Sequence, residues 1–167
     1  YRVHDEPNQE KVEALRNFIG NFGYKMGSTT NGKEISKELN SLFAAAKDTP
    51  EYNAIELLSL RTMAKARYDT ENLGHYGLAF KYYTHFTSPI RRYPDLTIHR
   101  ILGEFICGRP AEQVEKKYKK FVKESAEQSS EAELKAMTAE RRCSDCYKAE
   151  YMRDKIGDVF EGVVSSV

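Results

Sequence analysis

Between Asn8 and Met63 apolar side chains return every three or four residues, and that period confines this part of the chain to helices. Asn8 can cap a helix whose apolar positions are Val12, Leu15, Phe18, Ile19 and Phe22, and Gly23 and Gly27 supply its end. After a GSTTNG loop, Ile35, Leu39, Leu42, Phe43 and Ala46 repeat the pattern over Lys33–Lys47. Thr49 and Pro50 then open a third segment carrying Ile55, Leu58 and Met63. Each segment has one apolar and one wet face, so the first third is expected to be three short amphipathic helices that bury their faces together.

From Tyr68 the period changes. DTENLG is turn-like, and in HYGLAFKYY the large Tyr76, Leu78, Phe80 and Tyr82 alternate with Gly77, Ala79 and Lys81, which predicts a strand with one buried face. A helix through Phe105 follows, ending near Cys107 and Gly108. Ala111 to about Ser129 is rich in Lys, Glu and Gln, with Val114, Tyr118, Phe121 and Val122 as its apolar side, and Glu131–Lys155 predicts a second long helix stopped by Gly157. The closing residues, IGDVFEGVVSSV, are strand-like with no partner strand in sequence. The fold class is thus α+β, predominantly α-helical.

A chain of 167 residues suffices for one domain, which would bury roughly 68 to 70% of its unfolded surface. With 40% hydrophobic and 31% charged residues and no apolar run near the ~18 residues of a membrane span, a soluble protein is expected and no membrane association. A net charge of +1 gives no global pull toward nucleic acid, so any polyanion site must come from local clustering of Lys and Arg. Cys107, Cys143 and Cys146 are an odd set, which argues for a reducing compartment, the cytoplasm by default. Cys143 and Cys146 form a C-x-x-C, but in a helical pattern that offers no second ligand pair. The opening YRVHDEPNQ, without Met or targeting segment, and the unpartnered closing strand suggest a piece of a longer protein.

The densest cluster of conformationally special residues is HFTSPIRRYPDLTIHR, His85 to Arg100. Thr87 or Ser88 can cap a helix and Pro89 suits its first position, so the free amides of that turn and two guanidiniums would favour a phosphodiester. Pro94 removes a backbone bond and predicts a bend or a restart. If the helix continues, Ile90, Ile98, Ile101, Leu102 and Phe105 share one face with Arg91 and Asp95 at its border, where Asp95 could hold the Arg91 guanidinium, and Arg92 turns to the exposed side with Arg100. The plain alternative is a surface ion pair worth roughly 0.3 to 0.5 kcal/mol. These residues alone leave both readings open.

The run YTHFTSPIRRYPDLTIHR resembles the signature of the ribonuclease II / ribonuclease R family of exoribonucleases, and NLGHYGLAFKYY resembles the strand that precedes it there. YRVHDEPNQEKVEAL, RTMAKARY and DKIGDVFEGVVSSV are similar to the ribonuclease R branch, so the resemblance spans nearly the whole chain. It implies 3′-to-5′ hydrolysis of single-stranded RNA to nucleoside 5′-monophosphates with magnesium activating the water. It implies that residues 1–156 are the C-terminal part of an RNB-type catalytic domain, and that residues 157–167 begin a truncated OB-type RNA-binding barrel. Arg91 matches the family's catalytic arginine at the scissile phosphate, and Glu140, in AERRCSDCYKAEYM, matches a glutamate near the end of the channel. Arg92, Ser88 and Thr87 beside them are candidate RNA contacts, and Lys116, Lys117, Lys119, Lys120 and Lys123 could meet RNA backbone or merely form a wet face.

The aromatic alternation from Tyr76 to Tyr82 favours core over base stacking, and His85 and His99 have no Cys or His at metal-ligand spacing. The family's tight aspartate cluster for magnesium is not here: Asp5, Asp48, Asp69, Asp95, Asp145, Asp154 and Asp158 stand singly, which places the metal ligands upstream of Tyr1 and makes these residues inactive alone. The partner expected is single-stranded RNA, not DNA. A non-catalytic RNA-binding or scaffold module of the same fold, and a helical protein-interaction domain with a surface arginine pair, are the competing readings.

Overall fold

The computed structural model of the chain describes residues 1–162. Self-contacts divide it into two compact units, one of Tyr1–Val3 with Ala66–Phe160 and the other built on His4–Lys65.

The His4–Lys65 unit holds α1 (Gln9–Gly20), α2 (Gly32–Ala46) and α3 (Tyr52–Thr62). The Asn8 side chain accepts the Lys11 amide at 3.1 Å and that of Asn31 accepts the Lys33 amide at 3.0 Å, so each of the first two helices begins where an asparagine satisfies one of its open N–H groups. Beyond α1 the chain turns through Gly23, whose φ of 84° suits glycine. Val12, Leu15 and Ile19 of α1, Ile35, Leu39, Leu42 and Ala46 of α2 and Ile55 of α3 make one buried cluster, flanked by Phe18, Phe43, Leu58 and Met63. The predicted apolar faces are these faces. Only Phe22, past the end of α1, departs from the pattern and is half-exposed against the edge of Phe18.

In the other unit, β1 (Arg2–Val3) pairs antiparallel with β2 (Arg67–Tyr68), Arg2 opposite Tyr68 and Val3 opposite Arg67. The Arg2 guanidinium grips both carboxylate oxygens of Glu133, at 2.6 and 3.1 Å, and lies over the Tyr68 ring. α4 (Tyr93–Ile106) and β2 both pack on α5 (Ala111–Arg153).

The second half of the chain departs from its sequence pattern in three places. The predicted helices over 111–129 and 131–155 are one helix, α5, about 65 Å long at 1.5 Å per residue. Serines near position 130 suggest a break because their hydroxyls compete for backbone groups. Ser130 instead bonds the Ala126 carbonyl of its own helix at 2.8 Å, and its oxygen accepts the Tyr68 amide at 3.0 Å, so a contact with β2 holds α5 unbroken. The predicted strand over HYGLAFKYY is not formed either. Tyr76–Leu78 is a single 3₁₀ turn, Ala79 is left-handed at φ 56°, and His75 and Phe80 close on each other through backbone bonds of 2.8 and 3.3 Å. The chain reverses at Gly77 to Ala79, and Leu78, Phe80 and Tyr82 are left exposed instead of buried on one face. α5 stops at Arg153 and Gly157 follows with φ 102°. Asp158 to Gly162 form no strand, and the rest of the predicted closing strand lies outside the described residues.

Candidate nucleic-acid interface

Ser88 to Arg92 make one isolated turn: the Ser88 carbonyl accepts the amides of Arg91 at 3.3 Å and Arg92 at 3.0 Å. Arg92 is then extended (φ −124°, ψ 111°) and α4 starts at Tyr93, with Pro94 in its first turn. The helix predicted to begin at Ser88 or Pro89 therefore makes one turn and restarts. A continuous helix would need Pro94 to donate to the Ile90 carbonyl, which it cannot do, whereas in a first turn no donor is required.

The restart changes which arginine meets Asp95. The Asp95 side chain is fully buried, and its Oδ2 accepts the Ser88 amide at 2.8 Å, Arg92 Nε at 3.2 Å and Arg92 Nη2 at 2.9 Å. The expected pair of Arg91 and Asp95 is replaced by Arg92 and Asp95, three residues apart, because Arg91 lies outside the helix and not one turn from Asp95. Arg92, expected on the exposed side, is half-buried. The Arg91 side chain is exposed and, among the described residues, its guanidinium has no hydrogen bond or ion pair. Ile90, expected to join the apolar face of α4, is fully exposed, and Leu102 and Phe105 are only half covered.

The loop leading in is tied down by histidines. His99 Nε2 bonds the Phe86 carbonyl at 2.8 Å and its ring lies on that of Phe86, centroids 4.5 Å apart. His85 Nδ1 meets the Tyr68 hydroxyl at 2.8 Å, between the rings of Tyr68 and Tyr83. Burial, then the positive charges of Arg92 and Arg2, lower the His85 pKa, while Asp95 and Glu133 oppose this. Burial is also the main cause that raises the Tyr68 pKa. A protonated phenol can thus donate to a neutral imidazole. The Arg2 amide adds a bond of 2.9 Å to the Tyr83 carbonyl, so residues 83–88 are anchored to β1, β2 and α4.

No spacing in the sequence marks these histidines as anchors, and four-residue helical spacing assigns Asp95 to Arg91 where the structure pairs it with Arg92. One signal was present: an acid at the third position of a helix is where capping boxes place the side chain that reaches back to an upstream amide.

The remaining candidates are less closely held. Ser88 contributes its backbone, and Thr87 is exposed. Glu140 is exposed on the C-terminal half of α5, and no hydrogen bond or ion pair joins it to Arg91. Lys117 is bound to Glu104, whose carboxyl is held below the usual range chiefly by that hydrogen bond, and Lys120 lies 3.6 Å from Glu124. Lys116, Lys119 and Lys123 are exposed. Phe80 and Tyr82 are open to solvent, so they are free surface and not the core that their alternation predicted. Among the described residues no group of three or more His, Cys, Asp or Glu could hold a metal, so the magnesium implied by the resemblance has no fitting ligand set here. No helix among the described residues is long and apolar enough to cross a membrane.

What such a turn can do is present one unneutralised guanidinium, rigidly, to an anion. The RNB domain family matches residues 1–108. Ribonuclease R 1 of Lactococcus lactis is 38% identical over all 167 residues, and this chain spans 20% of that protein's length. Among solved structures, Mycoplasma genitalium RNase R in complex with ribose methylated single-stranded RNA superposes with a TM-score of 0.85 at 32% identity, over 100% of this chain and 26% of that one. Yeast Ssd1, a pseudonuclease, is similar over 78% of this chain and 17% of its own, with a TM-score of 0.51 and 34% identity. The matched residues take in the anchored turn and all of α4, and this match, with similarity to ribonuclease R along the whole of this chain, places the chain in the RNB domain family.

Proposed function

We propose that this chain is part of a 3′-to-5′ exoribonuclease that hydrolyses single-stranded RNA to nucleoside 5′-monophosphates, with Arg91 meeting the scissile phosphate. The observation that carries the reading is the contrast between two adjacent arginines, Arg92 neutralised by a buried carboxylate and Arg91 exposed on the same anchored turn. Charge that builds on the phosphate in the transition state is best met by a donor already in place, because no reorganisation is then needed at the moment of reaction. Arg92 holds the turn, Thr87 and Ser88 flank the RNA backbone, and Glu140 acts where product and RNA are held. The ligands of magnesium are assigned to chain beyond these 167 residues, within the longer protein that the relatives' lengths imply. Residues 1–156 are assigned to the catalytic domain and residues 157–167 to the start of an RNA-binding barrel.

Arg91→Ala in the full-length protein is expected to lower kcat on the order of 10² to 10³ with RNA affinity within several-fold. Affinity and turnover falling together would make Arg91 a binding residue instead. A second reading is favoured by the resemblance to a pseudonuclease: the same fold acting as a non-catalytic RNA-binding or scaffold module. Wild-type protein that binds single-stranded RNA but releases no mononucleotides with magnesium would decide for it.

A further inference from the structure

We propose that Asp95 is a positioning residue that acts through Arg91, an inference that rests on the function just proposed for that arginine. Asp95 is the only fully buried carboxylate among the described residues, and one of its oxygens, Oδ1, is buried without a hydrogen-bond partner. A buried ion pair is weak evidence for stability, since desolvation offsets much of the attraction and the unpaired oxygen adds to the loss. Its geometry points to a different use. All three donors converge on Oδ2, one from the amide of Ser88 at the start of the turn and two from the side chain of Arg92 at its end. Asp95 thereby closes a ring around Pro89, Ile90 and Arg91, which among the described residues make no hydrogen bond other than that of the turn. No hydrogen bond or ion pair joins Arg91 to Asp95, yet the position and direction of its Cα depend on the three bonds that Asp95 accepts. A displacement of about 1 Å at a group that must meet a transition state can cost on the order of 10²-fold in rate.

The test is a double-mutant cycle in the full-length protein, reading mononucleotide release from a single-stranded RNA oligonucleotide with magnesium. Asp95→Asn keeps the size and one acceptor oxygen but loses the charge. It is expected to lower kcat on the order of 10- to 100-fold while KM moves no more than a few-fold. In an Arg91→Ala background the same substitution is expected to change the residual kcat less than two-fold, because the residue it positions is gone. Loss of kcat by the same factor in both backgrounds would make Asp95 merely structural, and unchanged kcat in the wild-type background would also overturn the inference. Should circular dichroism show Asp95→Asn unfolded at the assay temperature, Arg92→Gln opens the ring from its other end with the same expected and overturning outcomes. Full turnover by Arg91→Ala alone is a distinguishable result that overturns the reading of Arg91 and the positioning role with it.

Discussion

His85 sits where a protonated imidazole is disfavoured, first by burial and then by Arg92 and Arg2. Its pKa in the folded chain lies below the ordinary value near 6.5, so below that pH the unfolded chain binds the proton more readily. The stability that neutral His85 contributes is therefore present above about pH 6.5 and is lost as pH falls through the lower folded value. Thermal melting of the wild type is expected to drop between pH 7.5 and 5.5, and His85→Gln to flatten that slope; an unchanged slope in the variant would assign the effect elsewhere. The roles of the residues around it were only partly legible. That a proline would interrupt the helix follows from its missing N–H, but whether the chain kinks or restarts depends on where the displaced carbonyls find partners. With the restart, the spacing that selects Asp95's partner moves from four residues to three, and Arg92 takes the place that Arg91 would have had.

Elements whose signals are local were readable, and those set by distant contacts were not. α1 and α2 carry their own caps and apolar period, so their ends and buried faces could be written down from the sequence. The continuity of α5 could not, because Ser130 is kept helical beside a strand 62 residues earlier in the chain. Nor could the turn at Tyr76–Leu78, where the alternation of large and small residues is real but the backbone reverses through Gly77 to Ala79. The Ser130 oxygen is the partner of the Tyr68 amide, and Ser130→Ala would leave that part-buried N–H without it. A loss of about 1 kcal/mol is expected, read as a lower denaturant midpoint, with Ser129→Ala near wild type as the control. Equal midpoints for the two variants would show the contact to be neutral.

At the scale of the whole molecule, the lack of a metal-binding cluster among the described residues matters more than the helix count. A transition-state arginine without the metal half of a phosphodiesterase site can stabilise charge but cannot supply an activated water. The isolated 167 residues, incubated with magnesium and single-stranded RNA, are expected to release no mononucleotides; release would refute the assignment of the metal ligands to chain outside them. The antiparallel register of β1 and β2 has a further consequence. Val3 stands opposite Arg67, so the points where the chain leaves for the three-helix unit and returns from it are held side by side. To that strand pair everything in between is one long loop, and closure entropy rises only with the logarithm of length, ~0.6 kcal/mol for each doubling. Since the insert has a buried cluster of its own, a helical insert of another length with adjacent ends is expected to close the same pair without shifting its register.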